Sequence, residues 1–144
     1  MTEGFMNRKS FTAVTLILGF LFSGCAVNGQ EAGAAVMEQT FEYTQISQDK
    51  AAEMMAEDDG HVIVDVRRED EYAEGHIPGA ILIPNESIVD TPPEELPNFD
   101  QIILVYCRSG RRSKEAAQKL ADMGYTNVYE FGGIITWNGE IVTD

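Results

Sequence analysis

The chain is predicted to fold as a single α/β domain around a mostly parallel sheet, and three features of the sequence predict it. Short apolar runs at residues 61–66, 80–83, 102–106 and 128–130 alternate with segments of helical pattern, the order that a parallel sheet with crossover helices requires. The second feature is that the longest runs, 61–66 and 102–106, are nearly continuous rather than alternating, as strands covered on both faces are. Thirdly, residues able to do chemistry stand at the carboxyl ends of these runs: Asp65 ends one and Cys107 follows another. Open α/β sheets bind their ligands at such ends.

Taken in order, residues 41–46 alternate apolar and polar side chains and predict an edge strand. Ser47 is a suitable N-cap for a helix reaching Glu57, which Asp58-Asp59-Gly60 terminates. Residues 61–66 predict a buried strand, with His61 at its entry, and residues 69–74 a short helix that Glu71 and Tyr72 hold against the sheet. Pro78-Gly79 turns the chain into a strand at 80–83, and Thr91-Pro92-Pro93 breaks it again before Leu96. A strand at 102–106 leads through Cys107 to a helix over 113–123. A short strand at 128–130 and a last helical turn near Trp137, expected to pack in the core, complete the series.

A chain of 144 residues with 44% hydrophobic and 24% charged residues has room for one ordinary core. The net charge of −14 argues against general nucleic-acid binding, which needs a basic face. The positive charge that exists is concentrated: of the eight Lys and Arg residues after Cys25, five fall between positions 108 and 119. An anionic ligand would be drawn there despite the acidic whole.

The amino-terminal segment has a different character. Arg8 and Lys9 precede a twelve-residue apolar stretch, 11–22, too short to span a bilayer and suited to the core of an export signal. Met6 begins an equally compact basic segment and competes with Met1 as the start. Leu21-Phe22-Ser23-Gly24-Cys25 resembles the lipobox of bacterial lipoproteins, although Phe22 is less usual than Leu at its place. The resemblance implies a lipoprotein signal peptide at 1–24, a lipidated Cys25, a flexible tether at 25–39 and a folded domain at 40–144. It further implies an extracytoplasmic protein, lipid-anchored to a bacterial membrane. An ordinary cleaved signal peptide or an uncleaved anchor is the competing reading.

If Cys25 carries lipid, Cys107 is the one remaining thiol of the two cysteines, and no internal disulfide can form. Cys107 opens the segment Cys107-Arg108-Ser109-Gly110-Arg111-Arg112-Ser113. A thiol between a strand end and a helix start meets backbone N–H donors and the positive helix end, which favour thiolate. The same groups can hold a sulfur-bearing anion, with Arg108 and Arg111 screening the donor and the amides of residues 109–113 ringing the sulfur. Gly110 permits the tight turn this needs.

Asp65-Val66-Arg67, Glu71-Tyr72, Gly75-His76-Ile77-Pro78-Gly79-Ala80, the Cys107 loop, and Gly132-Gly133 followed by Trp137 together resemble the rhodanese domain of the sulfurtransferase superfamily, in its single-domain form. The resemblance spans about 41–141. It implies that Cys107 accepts a sulfane sulfur from thiosulfate or a similar small anion, holds it as a persulfide, and passes it to cyanide, a thiol or a protein acceptor. The residues of the loop themselves assign Arg108, Ser109, Gly110, Arg111 and Arg112 to the substrate and Asp65, Arg67 and Ser113 to support of the loop; the resemblance implies that Arg112 and Asp65 shape the loop, and the two are expected to pair. His76 is expected to be structural.

Phosphatases and arsenate reductases that share this fold are an alternative, as is a non-catalytic binding module. Those phosphatases place five residues between Cys and Arg to surround a tetrahedral phosphate, whereas four separate Cys107 from Arg112. No metal or cofactor is expected: the two histidines are fifteen residues apart, and no phosphate-binding glycine loop or dinucleotide fingerprint is present.

Overall fold

A computed structural model describes residues 40–143. The expected signal peptide, Cys25 and the tether lie outside the described residues. The elements are β1 (Thr44–Gln45), α1 (Gln48–Met55), β2 (Val62–Asp65), α2 (Glu69–Ala73), β3 (Ala80–Leu82), β4 (Ile102–Cys107), α3 (Arg111–Asp122) and β5 (Asn127–Gly133), closed by a 3-10 turn at Ile134–Thr136. The five strands form one sheet in the order β1-β5-β4-β2-β3, every pairing parallel. The α/β architecture is therefore as the sequence predicts.

Strand alternation divides the core into two layers. Ile103, Val105 and Cys107 of β4 face α3 together with Val64 and Val66, and meet Ala116, Ala117 and Leu120 there. Leu104 and Tyr106 point the other way, toward Ala51 of α1, Ile77 and Phe131. Because β4 lies between β2 and β5, its end is flanked by strands on both sides. The thiol thus stands on the α3 side of the sheet, at the centre of its carboxyl edge.

Several boundaries differ from expectation. The edge strand shrinks to two residues, α1 stops at Met55, and β3 ends one residue earlier than the run 80–83 suggests. Helix α3 starts at Arg111 rather than Ser113, because Gly110 adopts φ 102° and turns the chain directly into the helix. β5 continues past Glu130 to Gly133, since its pairing with β4 resumes at Cys107↔Gly133. Val105 pairs with Glu130 and Cys107 with Gly133, so β5 carries one extra residue over this stretch, a bulge in which Gly132 has φ 95°.

That bulge brings β5 against the Cys107 loop. A Cβ placed on Gly133 would lie 2.3 Å from the Arg108 carbonyl oxygen and 2.5 Å from Ser109 Cα, so only glycine permits the approach. The 3-10 turn then ties back to the loop, Ile135 N donating to the Arg108 carbonyl. Trp137 packs beside Phe131 at a ring separation of 5.7 Å, in the core role expected of it.

Candidate active site

The geometry around Cys107 follows from the turn. The Gly110 amide donates to Cys107 Sγ over 3.0 Å, and the thiol lies 3.5 Å from Ser113 Oγ. The side chain is 1% exposed, and the sulfur sits beneath the first turn of the twelve-residue α3. The amides of that turn have no carbonyl four residues back inside the helix and so remain donors. Of the amides expected to ring the sulfur, Gly110 is the one that bonds Sγ itself.

The three loop arginines play different parts. Arg111 is 74% exposed and engaged by Glu115 at 2.6 Å, one helical turn on. Arg112 is 14% exposed and grips Glu71 of α2 through two bonds of 2.7 and 2.8 Å. Arg108 carries no ion pair among the described residues. It lines a shallow polar cavity with Arg68, Glu86, Ser109, Arg111 and Arg112, and a second with Arg67, Arg68, Asp70, Glu71, Glu74, Ile134 and Ile135. Among the described residues Arg108 is thus the one loop arginine that no carboxylate engages.

The expected pairing of Arg112 with Asp65 does not occur. Asp65 instead holds Arg67, with Nη2 at 2.6 Å and Nε at 2.9 and 3.0 Å from the carboxylate oxygens. The reason is the strand period: Asp65 shares a face with Ile63 and its neighbour Tyr106, both in the layer away from α3, whereas Arg112 begins α3. Burial opposes the charge on Arg67 more than any single contact favours it, but the bond to Asp65 together with the attraction of Asp65, Tyr106 and Glu71 outweighs it and raises the pKa. Arg67 also donates to the Gly75 carbonyl over 2.7 Å, so this buried pair fixes the β2–α2 connection.

Glu71 was expected to bind α2 to the sheet, and it reaches α3 instead. Tyr72 makes the sheet contact, its hydroxyl donating to the Ala80 carbonyl over 2.7 Å. His76 is buried, stacked on Tyr72 at 3.8 Å, and its backbone pairs with Val142, a structural position as expected. His61 sits beside Asp59 at 2.7 Å. Among the described residues no cluster of three His, Cys, Asp or Glu side chains is placed to hold a metal.

Ser113 is fully buried and central. Its hydroxyl lies 2.6 Å from Glu130 Oε1, 3.0 Å from the Gly110 carbonyl and 3.3 Å from the Gly132 carbonyl. Glu130 and the close approach at Gly133 are site features that sequence reasoning did not find. A lone acid inside an apolar strand run, two residues before a glycine pair, was the available signal.

Comparison with known proteins establishes the family. Residues 47–140 match the model of the rhodanese-like domain. The chain belongs to the rhodanese-like domain family. It is 38% identical over 97 residues to the thiosulfate sulfurtransferase GlpE of Pseudomonas entomophila, covering 67% of this chain and 85% of that protein. To the thiosulfate sulfurtransferase PspE of Escherichia coli it is 37% identical over 71 residues, covering 49% and 68% respectively. Among solved structures, a rhodanese-like domain protein from Staphylococcus aureus superposes with a TM-score of 0.60 at 32% identity, over 70% of this chain and 98% of the other. An E. coli rhodanese solved with anions gives 0.54 at 32%, over 58% and 99%.

The Glu71–Arg112 bond clamps α2 to the start of the rhodanese loop helix. Arg112 holds the Glu71 carboxyl at about 2, well below its ordinary 4.5. A carboxyl held low contributes stability that is complete above its unfolded value and lost as pH falls through its folded one. Glu71→Gln is therefore expected to cost about 1 kcal/mol at neutral pH, a fall of about 4–8 °C in Tm. The gap between wild type and variant should narrow between about 4.5 and about 2. Thermal melts across that interval check it, and a constant gap contradicts the clamp.

Proposed function

We propose that this rhodanese-family protein is a sulfurtransferase that carries a sulfane sulfur on Cys107, taking it from thiosulfate or a similar anion. The observation that carries the proposal is the Cys107 sulfur bonded by the Gly110 amide under the first turn of α3, with the unneutralised Arg108 at the mouth. The names of its relatives GlpE and PspE support the same donor.

The chemistry is a pair of displacements at sulfur. Cys107 thiolate attacks the outer sulfur of thiosulfate, and the bond from that sulfur to the sulfonate breaks. Sulfite departs with the electron pair, leaving a persulfide with one negative charge on its outer sulfur. A nucleophile, cyanide or a thiolate, then attacks that outer sulfur and expels Cys107 thiolate, so no net oxidation or reduction is needed over the cycle. The first step brings a dianion to an anion, which is why donors fixed before the reaction matter. Gly110 and the open amides of α3 serve the loop sulfur, while Arg108 meets the sulfonate.

Cys107→Ser should abolish transfer from thiosulfate to cyanide. Arg108→Ala should raise KM for thiosulfate about tenfold, with a smaller change in kcat, because it removes attraction rather than the nucleophile. Arg111→Ala should do less, its charge being engaged by Glu115. Steady-state assays of the three variants check this ranking, and activity in Cys107→Ser would remove the persulfide.

We further infer an extracytoplasmic location with a lipid on Cys25, on the strength of the sequence Leu21 to Cys25 and the basic and apolar segments before it. Two or more acyl chains suffice for stable anchoring at about 0.8 kcal/mol per buried methylene. Cys25→Ser should move the protein from the membrane to the soluble fraction of a bacterial host. Persistence in the membrane fraction would point to an uncleaved anchor.

A further inference from the structure

Glu130 is a fully buried acid that the sulfur chemistry above does not use. Strand alternation puts it on the same face of β5 as Val128, toward α3 and Cys107. The bulge after it folds the chain so that the Gly132 amide donates to Glu130 Oε1 over 2.9 Å, and Ser113 Oγ approaches that same oxygen at 2.6 Å. Oε2 is buried and has no hydrogen-bond partner. Among the described residues no Lys, Arg or His pairs with this carboxyl. An ionised carboxylate with a bare buried oxygen and no counterion is costly, whereas an un-ionised one is far less so.

Ser113 stands between this acid and the nucleophile, and a hydroxyl has one proton to give. While Glu130 is a carboxylate, the short bond at 2.6 Å claims that proton, and Ser113 Oγ can only accept from the Cys107 thiol at 3.5 Å. If Glu130 carries a proton, the directions reverse: the acid donates to Ser113, and Ser113 can donate to a sulfur anion. Two negative charges cannot share the one hydroxyl proton.

We propose that Glu130 is a positioning residue for Cys107: through Ser113 it takes up the proton that the thiol gives up, so that the active form pairs a Cys107 thiolate with an un-ionised Glu130. The Sγ–H bond breaks as that proton passes to Ser113 Oγ, and the former hydroxyl proton passes to Glu130 Oε1. Charge moves from carboxylate to sulfur and none is lost. The sulfur side keeps one negative charge as thiolate and as persulfide, so Glu130 holds its proton through both halves of the cycle. The inference rests on the sulfurtransferase reading for the meaning of the active form.

The test uses the full chain carrying Glu130→Gln. The Gly132 amide keeps the glutamine oxygen at the Oε1 position, so this variant retains the acceptor for Ser113 and loses the ability to take up a proton, with an uncharged NH2 in the place of Oε2. Alkylation of Cys107 by iodoacetamide at neutral pH should slow about tenfold or more, and kcat/KM with thiosulfate should fall in parallel while KM stays within about twofold. Ser113→Ala should show a similar loss, and the double variant should be no worse than either single one, because Glu130 acts through Ser113. Wild-type rates in Glu130→Gln, or losses that multiply in the double variant, would overturn the proposal.

If Glu130→Gln fails to fold, infrared spectroscopy of the thiosulfate-loaded wild type decides. A protonated-carboxyl band is the expected result there. Its absence contradicts the proposal. Wild-type protein that takes no sulfur from thiosulfate would instead defeat the sulfurtransferase reading, while the alkylation series would still judge the Glu130 relay.

Discussion

The turn from β4 into α3 sets the terms for everything around it. Three residues separate Cys107 from Arg111, and the chain reverses within them because Gly110 takes a left-handed conformation at φ 102°. The same residue turns its amide onto the thiol at 3.0 Å. A side chain at Gly110 would strain the turn, and a looser turn would lift the first turn of α3 away from the sulfur. The parallel sheet contributes the other half, holding β4 between two neighbours so that the strand is paired on both edges.

What surrounds the turn holds it from three sides. From β5, Gly133 packs its backbone against Arg108 and Ser109 at a distance no other residue allows. From α2, Glu71 grips Arg112 at the start of α3. Beneath, Ser113 joins the helix to Glu130 and the β5 bulge. Two of the three loop arginines are neutralised by their own carboxylates, and among the described residues the third, Arg108, has no such partner. A chain of net charge −14 thus keeps an unengaged arginine beside its loop thiol, the local charge on which the proposed donor binding depends.

The fold was largely legible because β2 and β4 are continuous apolar runs, which length and flanking residues identify as buried strands. Cys107 and its loop were legible as well, since the motif is local. The partners of the charged residues were not. Asp65 and Arg112 look like neighbours because both lie near strand ends, but one side chain points to each face of the sheet. Glu71 and Arg112 are 41 positions apart and meet only through the packing of α2 on α3. Glu130 escaped notice because it reads as the polar end of a short strand, while pairing at Cys107↔Gly133 draws β5 onward and buries it.

The most direct test of the persulfide account is intact-mass spectrometry of the protein after incubation with thiosulfate, before and after addition of cyanide. The account predicts a gain of one sulfur atom, mapped to Cys107, that cyanide removes. No gain of mass, or a gain that cyanide leaves in place, would contradict it.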